Sequence, residues 1–427
     1  MNTMTICIII FVLSLISYGL NKIPMAITSL LTLILLMLTG CIDTETALGG
    51  FANTNTVVIV GMFIIAAGLN RTRFVDNMSQ KVVKLAGGSF RKAYIGYIIL
   101  AALLTSFLTS PMVAFAVVFP LAFSMCEEFQ VSSFKVMFPL VVVCIGCCGI
   151  LPFGSAVMMS GQFNGFLETY GFAANFTPMT FTIGRLPAYI LIILWAIFIA
   201  PKFAPDKPIV PISMKETNKA EKTPLHPFSE AMGYIIFFVS ILCFFFGKNI
   251  GIANWQVCFI GALLLVVCRT LTEREAINAM PISIAMIYVG ALAMGNALNA
   301  TGAGTVIGNW LSSIVGDTQN NYLIGALFFI LPFLMTQVML NQAVQSIFVP
   351  ICLLTCQAVG ANPTGLLCLI SAGCLTAYMT PMATPAIPMA MGAGGYDLKS
   401  LVKQSWPVSI VLALAYIFYT MTIFPAF

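Results

Sequence analysis

Three amides, Asn341, Gln342 and Gln345, stand in the run "VMLNQAVQSIFVP" (338–350), and two hydroxyls, Thr380 and Thr384, flank the prolines of "TPMATPAIPMAMGAGGY" (380–396). Earlier, Thr109 and Ser110 stand in "LTSPMVAFAVVFP" (108–120), and Ser155 in "GCCGILPFGSA" (146–156). All are set in apolar sequence. An amide there is costly unless it is hydrogen-bonded or used. A hydroxyl is a weaker signal, because it can bond a carbonyl of its own helix. The thirteen cysteines are scattered without paired ligand spacing, and Cys144, Cys147 and Cys148 read as small residues of helix packing. His226 is the sole histidine and lies in a polar stretch, and the fourteen acids fall in loops or at helix ends. That pattern disfavours a buried carboxylate relay and intramembrane aspartyl or metal-dependent proteolysis. What remains is coordination. Hydroxyl, amide and unwound carbonyl oxygens suit a small cation, and helix N-termini suit an anion. No enzyme chemistry is expected, and no cofactor beyond a coupling ion.

The elements that must position these groups are membrane helices. The chain has 427 residues, 60% of them hydrophobic and only 8% charged, where a soluble domain is about one quarter charged. Apolar runs of roughly 17–25 residues, enough to cross a bilayer, recur throughout and do not alternate as barrel strands would. An all-α polytopic membrane protein follows, with spans near 4–20, 23–40, 55–70, 134–167, 182–200, 230–247, 254–268, 281–298, 363–394 and 403–424. The first run opens at Met4 with no basic segment before it and no cleavage pattern after it, so no removable signal peptide is expected. The stretches 93–125 and 322–355 are too long for one crossing and are interrupted midway.

Net charge is +5, with the Lys and Arg residues in a few loops, which speaks of orientation and not of nucleic acid. Basic segments at 71–92 and 202–222, and at Arg269, Arg274, Lys399 and Lys403, belong inside. The loops 41–54, 168–181 and 317–321 carry acids without Lys or Arg and belong outside. Parity then makes 93–125 and 322–355 re-entrant hairpins and puts both termini outside a cell membrane.

An internal repeat agrees. At a spacing of 229, Ala47 meets Ala276, Gly61 meets Gly290, Asn70 meets Asn299, Thr72 meets Thr301, Gly87 meets Gly316 and Pro152 meets Pro381; at 230, Pro120 meets Pro350. The first repeat is 1–200, with its hairpin at 93–125 and a broken helix at 134–167. A polar linker at 201–227 leads to the second, 228–427, with its hairpin at 322–355 and a broken helix at 363–394. Five spans and one hairpin per half is an odd count, which inverts the second copy, as in secondary transporters. Breaks at Pro152 and Pro381 expose backbone groups that lipid cannot satisfy, so they must be buried or line an aqueous cavity. Ser155 and Thr384 are repeat equivalents beside those breaks. Each hairpin turns nine residues before its proline, at Pro111 and at Asn341.

With these residues in view, the chain resembles the divalent-anion/sodium symporter family, the dicarboxylate carriers of the ion-transporter superfamily. The resemblance spans nearly the whole chain. It is clearest at "ATPAIPMAMGAGGYDLKSLVKQSWP" (383–407), similar to that family's Ala-Thr-Pro-Pro-Asn-Ala break, glycine turn and tyrosine cap, and at "ALGGFANTNTVVIVGMFIIAAGL" (47–69), similar to its early scaffold helix. It implies a homodimer with a static scaffold and a mobile core that moves as an elevator. It also implies sodium between each hairpin tip and the following break, carried over to Ser110, Gly154, Ser155, Asn341, Ala383 and Thr384. Substrate would lie between the tips, carried over to Ser110, Pro111, Met112, Asn341, Gln342, Thr380 and Pro385. The family's tips read Ser-Asn-Thr. Here they read Ser110-Pro111-Met112 and Leu340-Asn341-Gln342, and the Asn after the second break is Ile387.

The expected function is sodium-coupled import of a small organic anion, a di- or monocarboxylate. One alternative keeps the fold for a less charged or inorganic anion. Another is a non-transporting membrane sensor or assembly subunit with a degenerate site. Expected partners are sodium, the anion, the bilayer and a second copy of the chain.

Overall fold

The computed structural model describes residues 2–20, 22–173, 175–203, 209, 224–246, 251–307, 319–382 and 384–427. Most of the linker expected at 201–227, and the candidate Ala383, lie outside the described residues. Among those described there is no strand. The first half runs through α1 (Thr3–Leu20), α2 (Met25–Leu38), α3 (Thr44–Ala52), α4 (Thr54–Arg71), α5 (Phe74–Ala86), α6 (Phe90–Phe107), α7 (Pro111–Glu128), α8 (Phe134–Gly146), α9 (Gly154–Thr169) and α10 (Pro178–Leu194). It ends in a π-helical turn (Trp195–Ile199) and α11 (Ala200–Phe203). The second runs through α12 (Pro227–Phe246), α13 (Asn254–Val267), α14 (Glu273–Ala279), α15 (Ile282–Thr301), α16 (Asn321–Thr336), α17 (Asn341–Val359), α18 (Pro363–Leu375), α19 (Ala386–Gly394) and α20 (Leu398–Ile423).

Eight helical stretches, with α3 and α4 read as one, are long and apolar enough to cross a membrane, and six shorter apolar helices accompany them. Of the expected spans, 4–20, 23–40 and 254–268 fall among the shorter helices, while three of the eight, α6, α7 and α17, are arms of the two hairpins. The apolar runs at 134–167 and 363–394 are each cut into two helices, α8–α9 and α18–α19, so neither is one continuous crossing. The basic stretch 71–92, expected as a loop, contains α5. Phe74, Met78 and Val82 recur every fourth residue and pack on the core, which is helical spacing, and Gly87 ends the helix at φ +54.

The chain order of caps follows the repeat spacing. Asp43 caps α3 by accepting the Thr46 N–H at 2.7 Å, and Thr272, 229 residues on, caps α14 by accepting the Glu275 N–H at 3.2 Å. The halves interlock. Helix α4 packs on α13, and α15 on α2. A Cβ at Gly61 would lie 2.7 Å from Cys258, and one at Gly290 the same distance from Ser29. Both members of each pair differ by 229, so one close crossing occurs twice. Only glycine allows it, because backbone-level contact leaves no room for a side chain. Arg71 on α4 closes this layer with a 3.2 Å ion pair to Glu275 on α14.

A second group of helices packs beside the first: α6, α7 and α8 with α19, and α16, α17 and α18 with one another. Helix α10 lies along α20 and joins the two halves of this group. Tyr396, just after α19, inserts its hydroxyl into α8, where it accepts from the Phe138 N–H at 2.7 Å and donates to the Phe134 carbonyl. That bridge spans more than 250 residues of sequence and anchors the second break to the first half.

Candidate functional site

The first break occupies 147–153, between α8 and α9. Gly149 turns it at φ +66, a conformation that glycine adopts without strain. Gly154 opens α9 against the end of α6, and any Cβ there would collide with the Phe107 carbonyl. Ser155 is fully buried. Its hydroxyl accepts the Gly149 N–H at 3.0 Å and donates to the Ser106 carbonyl at 3.1 Å. The candidate ion ligand is therefore a staple between break and hairpin. Thr105 adds a second tie, donating to the Cys144 carbonyl at 2.6 Å.

The turn of this hairpin, 108–110, delivers Ser110 as the N-cap of α7, with no side-chain cap bond. Pro111 follows at the first helical position, where its missing N–H removes one of the orphan donors of the helix start. Met112 is 40% exposed. The first tip thus presents a hydroxyl that does not cap its helix, beside apolar groups.

The second break, 376–385, is held differently. Gln337, in the turn between α16 and α17, donates through Nε2 to the Phe333 carbonyl (2.9 Å) and the Thr376 carbonyl (3.1 Å), and accepts the Met379 N–H at 3.2 Å. Thr380 donates to the Gln337 carbonyl. So Thr380, a candidate substrate contact, spends its hydroxyl proton on the hairpin. Thr336 donates to Asn341 Oδ1 at 2.7 Å and to the Cys374 carbonyl at 3.2 Å, the counterpart of the Thr105 tie. Asn341 is the first residue of α17 and its N-cap is Leu340, so its side chain does not cap the helix. Thr384 is buried, and among the described residues its hydroxyl accepts a long 3.5 Å contact from the Ala386 N–H. Pro385, the N-cap of α19, is exposed.

Gln342 and Gln345 follow on α17, each with a buried Oε1 that has no partner among the described residues. Such oxygens cost about 1–3 kcal/mol apiece if nothing fills them. The second arm of each hairpin crosses over: α7 packs on α19 and α17 on α9. Each break therefore meets its own hairpin through hydrogen bonds and the other hairpin through packing. The starts of α7, α9, α17 and α19 all lack a side-chain cap bond. Their open N–H groups and partial positive charge suit an anion, and the unpartnered amide oxygens suit a cation.

Two residues at this core escaped the sequence reading. Gln337 is an amide four residues before Asn341, in the same apolar context that made the other three stand out. Arg185 lies within the span expected at 182–200 and is fully buried. Its Nη1 donates to Ser371 at 3.2 Å, its Cζ stands 5.6 Å from the Tyr416 ring centroid, and its Nε and Nη2 find no hydrogen-bond partner among the described residues. The signal was available: a lone charge inside a span is costly and seldom idle.

Comparison with known proteins identifies the family and the fold. A family model for citrate transporters (CitMHS) matches residues 7–344 and 241–427. An uncharacterized transporter of Haemophilus influenzae is 24% identical over 400 residues, covering 90% of this chain and 84% of the relative. The sodium-dependent dicarboxylate transporter SdcS of Staphylococcus aureus is 21% identical over 440 residues, covering 95% and 83%. Among solved structures, MtrF of Neisseria gonorrhoeae, described as illuminating a class of antimetabolite efflux pumps, superposes with a TM-score of 0.65 at 15% identity, covering 99% of this chain and 95% of that one. The YdaH transporter of Alcanivorax borkumensis, described as having an unusual topology, gives 0.61 at 14% identity, covering 89% and 87%. At those identities the two structures speak for the fold alone. The matched family model spans the chain from residue 7 to residue 427 in two overlapping segments, and the chain belongs to the citrate transporter family, within the divalent-anion/sodium symporters.

Proposed function

We propose that this transporter is a sodium-coupled carrier that imports a small organic anion, a di- or monocarboxylate. On this reading the hairpins, breaks, α10 and α20 move as an elevator past the static layer of α1–α4 and α12–α15. The single observation that carries it is the set of four uncapped helix starts at two breaks and two tips, beside unpartnered amide oxygens. Each half would bind one sodium between tip and break: Ser110, Gly154 and Ser155 in the first, Asn341, Ala383 and Thr384 in the second. Ser155 uses one lone pair and its proton within the protein and keeps a second lone pair for an ion. The anion would lie between Ser110, Pro111 and Met112 on one side and Asn341 and Gln342 on the other. The N-terminus of α19 at Pro385 would complete that site, with Thr380 holding it in place. The halves would be inverted repeats of a homodimer, with both termini outside.

Support for the coupling ion and cargo comes from the SdcS relative, which is a sodium-dependent dicarboxylate transporter. A second reading, a less charged or inorganic anion, is favoured by the first tip, where Pro111 offers no N–H and Met112 is exposed. Uptake into proteoliposomes, over mono-, di- and tricarboxylates and inorganic anions, tests both. An inward sodium gradient should drive accumulation of one carboxylate class. Accumulation under a proton gradient alone, with no effect of sodium, would overturn the coupling. Uptake of an inorganic anion in preference to every carboxylate would favour the second reading.

A further inference from the structure

The starts of α6 and α8 and the end of the α10 helical run enclose a cavity of about 500 Å³, away from both breaks. Its lining carries three cations, Arg91, Lys135 and Lys202, and no carboxylate. Two of them are badly placed for the helices that bear them. Arg91 and Lys135 sit in the first turns of α6 and α8, where the helix dipole is already positive and a cation is unfavourable.

The caps of the same helices are also unused. Ser89 and Ser133 occupy the N-cap positions, and neither makes a side-chain cap bond. Ser133 is 5% exposed, and its hydroxyl, like that of Ser132, is buried without a partner. Its repeat counterpart Asn362 caps α18 in the ordinary way, accepting the Thr364 N–H at 3.0 Å. So the first turns of two helices and three cations line one space, a setting that suits negative charge.

The rest of the lining is apolar. Tyr94 donates its hydroxyl to the Ala196 carbonyl at 2.6 Å. That carbonyl lies within the π-helical turn, which turns Ile197 and Phe198 into the cavity wall. An inserted hydroxyl is a known cause of such a turn, and π-turns often mark functional places. Phe198 is 48% exposed on a helix long enough to span a bilayer. The cavity is thus cationic at one end and apolar on its flank, which a free anion does not need and a phospholipid does.

We propose that this cavity binds the phosphate headgroup of an anionic phospholipid, with Arg91, Lys135 and Lys202 and the α6 and α8 N-termini on the phosphate, and Ile197 and Phe198 along the acyl chains. Loop charges put this end in the cytoplasmic leaflet, where basic pockets between helices hold such headgroups. The site joins α6 and α8 of the mobile core to the end of α10, so the lipid would brace the first hairpin.

The test is binding, read without transport, so it stands or falls apart from the carrier reading. Purified protein in neutral detergent is titrated with phosphatidylglycerol, phosphatidylcholine or inorganic phosphate, and thermal shift and native mass spectrometry are recorded. Phosphatidylglycerol should raise Tm by several degrees and leave one or two retained adducts per chain. Phosphatidylcholine should do neither. The triple variant R91Q/K135Q/K202Q should lose the shift and the adduct while keeping its lipid-free Tm. If that variant does not fold, Lys202→Glu alone, on an exposed turn, should weaken phosphatidylglycerol retention at least fivefold. An undiminished shift in a folded triple variant, or undiminished retention in Lys202→Glu, would overturn the site. An equal shift with inorganic phosphate would overturn the lipid assignment, because the apolar wall would then contribute nothing.

Discussion

The two helix breaks, 147–153 and 376–385, are built from opposite chemistry. At the first, one fully buried serine ties the turn to its hairpin, a glycine allows backbone to touch backbone, and the neighbouring tip is apolar apart from Ser110. At the second, a glutamine in the hairpin turn does the tying. Thr384 is left nearly unbonded, and the tip carries Asn341 and Gln342. A break needs every freed backbone group satisfied, and a single residue can supply only a few bonds. Where the hairpin brings its own amide, the break's threonine is spared for something else. The first break is therefore tied by its own serine, and the second by a glutamine of its hairpin.

That asymmetry can be broken most sharply at Asn341. Asn341→Leu should abolish uptake with the fold retained, since the side chain makes one hydrogen bond and caps nothing; Ser should retain the fold and bind substrate more weakly. Normal transport by the Leu variant would make the second tip structural. Next comes Gly154→Ala, whose Cβ would meet the Phe107 carbonyl. Backbone cannot yield as a side chain does, so we expect a cost of about 1–3 kcal/mol and loss of most uptake, seen as a lower Tm and lower initial rate.

A paired comparison follows. Ser155→Ala leaves the Gly149 N–H and the Ser106 carbonyl unbonded, about 1–3 kcal/mol for each buried group, and should depress Tm clearly. Thr384→Val should leave Tm within about 0.5 kcal/mol of wild type, the scale of a near-isosteric change away from strong bonds, yet weaken the dependence of uptake on sodium. If the two variants behave alike, the contrast between the breaks is lost.

The smallest effect lies in the static layer. Burial pushes the Glu275 carboxyl up, but the Thr272 N–H, the Thr272 hydroxyl and Arg71 outweigh it and hold the group below its usual range. A carboxyl depressed on folding stabilises above its unfolded pKa, about 4.3, and the contribution fades as pH falls through the lower folded value. Half-exposed ion pairs are worth about 0–1 kcal/mol. Glu275→Gln should therefore lower Tm slightly and evenly from pH 8 to 5, with the gap closing below pH 4. A gap that widens on acidification would contradict the ion pair.

Much of the architecture was legible in local chemistry. Prolines and glycines placed both breaks, and Pro111 the first hairpin turn, because no other residues halt a helix so firmly in apolar surroundings; the second turn holds neither and was placed by its spacing from Pro350. A tyrosine after the glycine turn matched the family's cap, and the structure shows its target in α8. Other features were hidden. The 71–92 helix was missed because its basic residues outweighed three apolar ones at a spacing of four. Arg185 was passed over inside a span, and Gln337 within a turn, because each makes hydrogen bonds to residues distant in sequence, Ser371 for Arg185 and Thr376 and Met379 for Gln337.

The sequence by itself determined that this is an all-helical membrane protein and where two of its apolar runs break, since composition, proline and glycine act on their immediate neighbours. Only the tertiary structure decided which hydroxyls are free. Ser155 and Thr384 are equivalent in sequence and differ in role, because a hydroxyl's use depends on which distant carbonyl or N–H reaches it. That is settled by how α6 and α16 pack against the breaks, which no local pattern encodes.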